Sequence, residues 1–250
     1  MNKLNSLILN WEKGTVKSTK ELNKMGYSSQ LLKSYATYGW LSLVGRGAYK
    51  LSNDQLNWYG GLYCIQQQNQ TVHVGGKTAL AIKGFTHYVA IKPQVVDLFG
   101  KIGDKLPNWF TNQSWMDELK FYTTNNFDYS DKKLLIDSSM NNIKLKISTP
   151  ELAILEMLFL VPHVYSFDEA FLITESLLTL NPDTLQKLLD NCNSVKIKRL
   201  LLYFGEKHNH FWFNELNQTR IDLGSGKRQI VENGKLNKRY NITVPREYYE

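Results

Sequence analysis

Residues 18 to 51 constrain the possible fold more than any other stretch of the chain. Ser18 and Glu21 are spaced as a capping box, and Gly26 stands where the first helical pattern ends. One of the two serines at positions 28 and 29 caps a second helix, whose apolar residues recur every three or four positions until Gly39. The runs WLSLV and AYKL then predict two strands that meet at Gly-Arg-Gly. With a further helical pattern upstream, this order predicts a winged helix-turn-helix.

The outward face of the second helix in this segment carries small or polar side chains and no acidic residue. Such a face favours approach to phosphates, and the third helix of a winged helix-turn-helix lies in the DNA major groove. Arg46, flanked by two glycines at the hairpin tip, is predicted to reach the phosphate backbone or a narrow minor groove. A winged helix used only for protein contacts remains the alternative. The predicted contacts to double-stranded DNA are Lys17, Lys20, Ser28, Ser29, Gln30, Lys33, Ser34, Thr37, Arg46 and Lys50.

The distribution of charge supports a nucleic-acid partner for the first segment. Residues 1–54 carry eight Lys and Arg against three Asp and Glu, a net charge of +5, whereas residues 55–195 carry a net charge of −3. A basic winged helix is typical of DNA binding. Residues 196–246 form a second basic block with a net charge of +7. This block is interpreted either as another nucleic-acid surface or as solvated lysines on a helix and a hairpin.

The rest of the chain predicts a larger α+β domain. Residues 54–82 give two short helical patterns, which we expect to extend and brace the winged helix. From position 93 onward the runs PQVVDLFG, ELKFYTTN and IKLKIS predict strands. Four helices follow, opened by Thr149-Pro150, Ser166, Asn181-Pro182 and the run KIKRLLLYFGEK, and Asn233-Gly234 predicts a hairpin turn. We therefore expect a winged-helix domain over residues 1–92, with its core in 1–53, and an α+β domain over residues 93–250.

Cofactor motifs are incomplete. Gly75–Thr78 lacks the upstream glycine of a phosphate-binding P-loop, and Gly224–Lys227 is followed by arginine where Ser or Thr is needed to hold magnesium. His208 and His210 lie two residues apart and the nearest other histidine is His163, whereas a metal site needs three or four convergent ligands. We expect neither a cofactor nor a metal ion.

The two cysteines are isolated, so the sequence predicts no disulfide framework. The first residues, MNKLNSLILNWEKG, do not resemble a signal peptide. No apolar run approaches the length of about 20 residues that a membrane span requires. We expect a cytoplasmic protein without a membrane partner.

Nuclease activity is the most specific enzymatic alternative that the sequence offers. Asp97 lies in one predicted strand, and Glu118 and Lys120 lie in another. A carboxylate followed by an acid-x-lysine motif is how some nucleases hold magnesium and place a lysine near the attacking water. Alternating charge is also the ordinary pattern of a solvent-facing strand.

Several motifs in colinear order resemble those of the AbiEi-type antitoxins of type IV toxin–antitoxin and phage-abortive systems. They cover nearly the whole chain: KGTV, GY followed by SxxLLxxY, GWLxxVGRGAYK, HVGGKTAL, STPExAILE, NCNSVKxKRLxLY, HxWFxxL, IDLGxGKRxIV and YxITVPRE.

The resemblance implies a division of labour between the two domains. An N-terminal winged helix would repress its own operon by binding repeats in the promoter. The C-terminal domain would counter a nucleotidyltransferase-like toxin encoded alongside it, with direct contact left open. The family is not enzymatic. Residues of the second basic block are the candidate antitoxicity surface: Lys196, Lys198, Arg199, Lys227 and Arg228. Besides the nuclease, an ordinary winged-helix transcription factor with a ligand-sensing C-terminal domain remains an alternative.

Overall fold

A computed structural model describes residues 3–69, 71–85 and 95–249. The first helix, α1, spans Lys3–Leu9. Three elements follow: strand β1 (Lys17–Ser18), helix α2 (Thr19–Lys24) and helix α3 (Ser29–Thr37). The hairpin consists of β2 (Leu41–Gly45) and β3 (Ala48–Leu51). Both helix caps form as predicted, because the Ser18 and Ser28 hydroxyls accept hydrogen bonds from the third N–H group of α2 and α3.

These elements form a small N-terminal body with its own core. The strands pair antiparallel in the order β1-β3-β2. Helix α3 packs against β2 and helix α2 lies next to β1. The order of elements is that of a winged helix-turn-helix. The core of the body is a cluster of buried side chains: Leu7, Trp11, Leu22, Tyr27, Leu32, Tyr35, Leu41 and Tyr49.

A five-stranded mixed sheet organises the second, larger body. Its strands are β4 (His73–Val74), β5 (Val95–Gly100), β6 (Glu118–Thr123), β7 (Leu135–Met140) and β8 (Ile143–Ser148), in the order β6-β5-β4-β8-β7. β5 runs parallel to β6 and antiparallel to β4, whereas β8 runs parallel to β4 and antiparallel to β7. Three of these strands are those predicted from the alternating runs.

Two helices from the segment before position 86 pack onto this sheet. They are α4 (Trp58–Gln66) and α5 (Gly76–Ile82), and β4 lies between them in the chain. The expectation that residues 54–82 only brace the winged helix is therefore wrong, since β4 is the middle strand of the larger sheet. The predicted boundary at 92/93 lies outside the described residues and stays a prediction.

Helices build the remainder of the second body. They are α6 (Asn108–Thr111), α7 (Pro150–Leu160), α8 (Phe167–Glu175), α9 (Pro182–Asn191), α10 (Val195–Lys207) and α11 (Phe211–Glu215). The predicted caps of α7, α8 and α9 are confirmed, because Thr149, Ser166 and Asn181 each accept a hydrogen bond from the N–H group three residues on. The mixed helix and strand content confirms the α+β class.

The C-terminal segment forms a small three-stranded sheet. Its strands are β9 (Arg228–Gln229), β10 (Lys235–Asn237) and β11 (Ile242–Val244). The hairpin predicted at Asn233-Gly234 is wrong, because β10 pairs antiparallel with β11 and β9 runs parallel to β11. Asn233 does adopt the left-handed conformation, with φ of 55°, but the chain there leads from β9 into β10 without pairing them.

Candidate nucleic-acid interface

The outward face of α3 carries the polar surface that the sequence predicted. Ser29, Gln30, Lys33 and Thr37 are exposed, and Ser34 is half-buried. The opposite side of the helix is anchored by Leu32 and Tyr35 in the N-terminal core. α3 contains no acidic residue. A DNA backbone could therefore approach this face without meeting a carboxylate of the helix.

Two hydroxyl groups on α3 are already engaged in local hydrogen bonds. The Ser28 hydroxyl oxygen accepts a hydrogen bond from the Leu31 N–H at 3.2 Å. The Thr37 hydroxyl donates to the Lys33 carbonyl oxygen at 3.1 Å. The side chains of Ser29, Gln30, Lys33 and Ser34 make no such internal contact among the described residues, so their hydrogen-bonding capacity is available on this face.

Two predicted DNA contacts, Lys17 and Lys50, point inward. Lys17 is buried, and its Nζ atom forms an ion pair with Glu21 at 2.8 Å. Lys50 is half-buried, and its Nζ atom donates to the carbonyl oxygens of Ser52 at 3.3 Å and Asp54 at 2.6 Å. The prediction of a DNA-facing position is therefore wrong for Lys17 and is not favoured for Lys50, whereas Lys20 is exposed.

Arg46 is exposed at the tip of the β2–β3 hairpin, but its two flanking glycines have different causes. Gly47 adopts a φ of 82°, which side-chain-bearing residues resist. At Gly45 a Cβ atom would lie 2.7 Å from the Cβ atom of Trp109 in α6. The sequence suggested that both glycines serve only to expose Arg46 at the hairpin tip. This expectation is corrected for Gly45, which permits close packing of the hairpin on the second body.

The hairpin is also fixed by hydrogen bonds on both sides. Gln113, just after α6, donates from Nε2 to the carbonyl oxygen of Val44 at 2.8 Å. The Thr19 N–H donates to the carbonyl oxygen of Gly47 at 2.8 Å. Arg46 is therefore presented by a braced turn beside α2 and α6, which limits the conformational entropy that the backbone would lose on binding.

The second basic block does not form the exposed surface that the sequence predicted. Arg199 is 1% exposed and Lys198 is 6% exposed. The Arg199 guanidinium donates to carbonyl oxygens of Leu223, Gly224, Gly226 and Asn241. The placement of Lys198 and Arg199 on a surface is therefore wrong.

Lys196 also has a structural contact, whereas the last two members of the block are accessible. The Lys196 ammonium donates to the carbonyl oxygens of Phe159, at 2.8 Å, and Val161, at the end of α7. Such a cation at a helix C-terminus interacts favourably with the helix dipole. Lys227 and Arg228 are exposed beside β9 and remain candidates.

The predicted nuclease residues are not arranged as a magnesium site. Asp97 faces Lys120 across β5 and β6, but its carboxylate is fully buried and accepts a hydrogen bond from the Tyr165 hydroxyl. Glu118 is exposed and forms an ion pair with Lys120 at 3.4 Å. Among the described residues, no group of three or more His, Cys, Asp or Glu side chains is placed to hold a metal ion.

Burial dominates the protonation of Asp97. It raises the pKa of this carboxyl to about 6, despite the opposing Tyr165 hydrogen bond and the charges of Lys77 and Lys120, and the Glu156 charge adds to the rise. The other Asp97 carboxylate oxygen is buried and has no hydrogen-bond partner among the residues that the structure describes. A buried carboxyl of this kind favours its neutral form.

A buried network around Glu156 was not predicted. Its carboxylate contacts His73 Nε2 at 2.8 Å and accepts hydrogen bonds from the Gly76 N–H at 2.9 Å and the Ser148 hydroxyl at 2.7 Å. A Cβ atom at Gly75 would lie 2.2 Å from the Glu156 carboxylate. The motif HVGGKT could have signalled this approach, because paired glycines permit close contact with a buried group. The network joins α7 to β4 and β8 and is structural.

No helix in the described ranges is long and apolar enough to cross a membrane.

Comparisons with known proteins cover both parts of the chain. A family model described as "Transcriptional regulator, AbiEi antitoxin, Type IV TA system" matches residues 93–245, and one described as "Transcriptional regulator, AbiEi antitoxin N-terminal domain" matches residues 1–91. The chain belongs to the AbiEi antitoxin family of type IV toxin–antitoxin systems. The resemblance seen in the sequence motifs is confirmed.

A solved structure shares the fold of this AbiEi family member. The RV2827C protein from Mycobacterium tuberculosis, known from its crystal structure, matches with a TM-score of 0.62 at 11% sequence identity. The match covers 96% of this chain and 88% of that one, so the likeness extends over both bodies. No curated protein matches the chain significantly.

Proposed function

We propose that this AbiEi family member is a DNA-binding repressor of its own operon and an antitoxin against a nucleotidyltransferase-like toxin. The observation that carries the DNA-binding part is the exposed, acid-free face of α3 beside the braced Arg46 turn. Membership of a family of antitoxin regulators supports both parts of the proposal. Such a regulator would act in the cytoplasm.

DNA contacts would divide between affinity and sequence preference. Lys20, Lys33 and Arg46 would contact phosphates and so set the affinity and its dependence on salt. Gln30 and Ser34 would reach base edges in the major groove, where amide and hydroxyl groups discriminate between base pairs. Ser28, Ser29 and Thr37 would complete the contact along the helix.

Binding to its own promoter tests the repressor role. The full chain should bind a fragment containing the promoter repeats of its operon more tightly than a shuffled fragment of equal length and composition. Gln30→Ala should reduce that preference, since a lost base contact costs about 1–3 kcal/mol. Equal binding to both fragments by the wild type would contradict sequence-specific repression.

Growth after toxin induction tests the antitoxin role. Cells that express the neighbouring toxin gene should recover when the full chain is supplied from a second plasmid with an unrelated promoter. An unrelated promoter separates antitoxicity from repression, because toxin synthesis then does not depend on the operator. Continued arrest, with the chain present in soluble form on a blot, would contradict the role.

We infer that the protein is not an enzyme. Magnesium-dependent cleavage would need carboxylates that converge on a common point, and Asp97 is instead buried against Tyr165 while Glu118 faces solvent. The purified chain should cut neither DNA nor RNA in the presence of magnesium. Cleavage that Asp97→Ala abolishes would support the nuclease alternative instead.

A further inference from the structure

A cavity of about 710 Å³ lies at the junction of the two bodies. One wall is the C-terminal half of α4, and the facing wall is the β7–β8 hairpin with the loop that precedes it. Glu12, in the segment between α1 and β1, lies at its edge. Small-molecule sites in proteins commonly have volumes of about 300–1,000 Å³, so this cavity could accommodate a metabolite-sized ligand.

The wall formed by the hairpin and its preceding loop carries positive charge. Lys132, Lys144 and Lys146 all line the cavity. Lys146 forms an ion pair with Asp137 at 2.8 Å, whereas Lys132 and Lys144 have no carboxylate partner within the described residues. Both lysines are exposed and line the same cavity, so an anion bound between them would have two ammonium groups available as partners.

The opposite wall, on α4, carries uncharged hydrogen-bonding groups, and the Glu12 side chain lies at its edge. Gln67, at the end of α4, is exposed, and its side-chain amide has no hydrogen-bond partner in the described part of the chain. Tyr63, one turn earlier, places its phenol near Glu12. These groups could contact an uncharged part of a ligand whose anionic part faces the lysines. Lysine is a common point-charge partner of phosphate.

The cavity also touches the connection between the two bodies. The segment that contains Glu12 is held against α4, because the Val16 N–H donates to the Gly60 carbonyl oxygen at 3.2 Å. A Cβ atom at Gly60 would lie 1.8 Å from the Gly14 carbonyl oxygen, so the two segments of the chain are in close contact. A ligand in the cavity would thus contact residues of both bodies.

We propose that the cavity between α4 and β8 binds a small phosphate-bearing molecule, with Lys132 and Lys144 as its phosphate contacts and Gln67 as a contact to its uncharged part. This site is distinct from the α3 face and from the incomplete P-loop motif at Gly75–Thr78. It does not depend on the proposed repressor function.

Calorimetric titration of the full chain with inorganic phosphate, pyrophosphate and ADP, at matched ionic strength, tests the site. Binding of at least one probe should be saturable, and the Tm should rise with its concentration, since a ligand that binds only the folded state stabilises it. Tighter binding of ADP than of pyrophosphate would identify an organic phosphate as the ligand class. Tighter binding of pyrophosphate would identify the phosphate groups alone.

A charge-matched pair of variants separates this site from general attraction to a basic protein. Lys132→Gln with Lys144→Gln should raise the Kd by about tenfold or more, through the loss of two charge-assisted contacts. The control, Lys133→Gln with Lys187→Gln, removes two exposed lysines that line a separate cavity of about 420 Å³ and should leave the Kd unchanged. Equal losses in both variants, or no saturable binding of any probe to the wild type, would overturn the proposal. Operator binding is measured separately, and neither its presence nor its absence changes the interpretation of phosphate binding.

Discussion

The two bodies use charged residues in opposite ways. In the N-terminal body most charged side chains are exposed, and the core is a cluster of eight buried apolar or aromatic residues. In the second body Asp97, Glu156, Arg199 and Lys198 are buried. Each of the first three is held by hydrogen bonds to other parts of that body.

The comparison shows that a local excess of basic residues does not by itself identify a binding surface. The net charge of +5 over residues 1–54 comes partly from accessible side chains such as Lys33 on the exposed face of α3. The net charge of +7 over residues 196–246 includes Arg199, whose guanidinium organises the C-terminal sheet. Buried charges stabilise only where partners satisfy them, so these two blocks should respond differently to substitution.

The largest effect is expected from removing β4 from the second body. A fragment of residues 93–250 lacks β4, the middle strand of the sheet, and both helices that flank β4 in the chain. It should fail to fold cooperatively, whereas a fragment of residues 55–250 should fold. Circular dichroism with urea unfolding distinguishes the two fragments. A cooperative transition for residues 93–250 would show that the second body needs nothing from the first half of the chain.

Arg199→Ala is expected to cause the largest loss of stability among single substitutions. It removes a fully buried guanidinium and leaves four carbonyl oxygens without that donor. Each buried carbonyl oxygen left without a hydrogen bond costs about 1–3 kcal/mol, so the total loss of unfolding free energy should be about 4 kcal/mol or more. Arg228→Ala, in the same block but exposed, should change stability by about 0.5 kcal/mol or less. Equal effects in urea unfolding would remove the distinction between buried and exposed members of the block.

Asp97→Asn should stabilise the protein above neutral pH. The carboxyl pKa of about 6 exceeds the ordinary value of 3.8, so the folded state holds this proton more tightly than the unfolded chain. The cost of burying the charge is full above pH 6 and is relieved as the pH falls toward 4. Removing the charge should therefore add about 3 kcal/mol at pH 7.5 and flatten the dependence of stability on pH between 4 and 6.

The control for Asp97 is Asp137→Asn, which alters an exposed ion pair with Lys146. It should change the unfolding free energy by about 0.5 kcal/mol or less at either pH. Destabilisation by Asp97→Asn at pH 7.5 would mean that Lys77 and Lys120 more than offset the cost of burying the charge.

The two hairpin glycines differ in what surrounds them at the contact between the bodies. Gly45→Ala forces a Cβ atom against Trp109 and should cost about 1–3 kcal/mol through overpacking. Gly47→Ala meets only the Thr19 hydroxyl oxygen, at an ordinary contact distance of 4.0 Å, but keeps a positive φ, which should cost about 1 kcal/mol. Gly45→Ala should also impair operator binding more, since it displaces the turn that presents Arg46. Equal costs in thermal unfolding would contradict the packing role of Gly45.

Local features of the fold were predictable because they depend on neighbouring residues. Ser18, Thr149 and Asn181 were identified as helix caps from the sequence, and each makes the expected hydrogen bond. The acid-free face of α3 follows from helical periodicity in the same way.

Features set by distant contacts were not predictable from local patterns. The role of β4 as a middle strand depends on pairing with β5 and β8, which lie well beyond it in the chain. The burial of Arg199 depends on carbonyl groups more than 20 residues away. At Asn233-Gly234 the local turn propensity was correct for the backbone of Asn233, but the strand pairing followed tertiary contacts.

Salt dependence of operator binding tests the central claim most directly. Lys33 and Arg46 are exposed, so Lys33→Ala with Arg46→Ala should change stability by about 0.5 kcal/mol or less. Each lost phosphate contact should lower the slope of log affinity against log salt by about one. Fluorescence anisotropy with promoter DNA should therefore give a slope lower by about two for this pair, and an unchanged slope for Lys227→Ala with Arg228→Ala. The opposite result would place the DNA-binding surface on the second body and contradict the account.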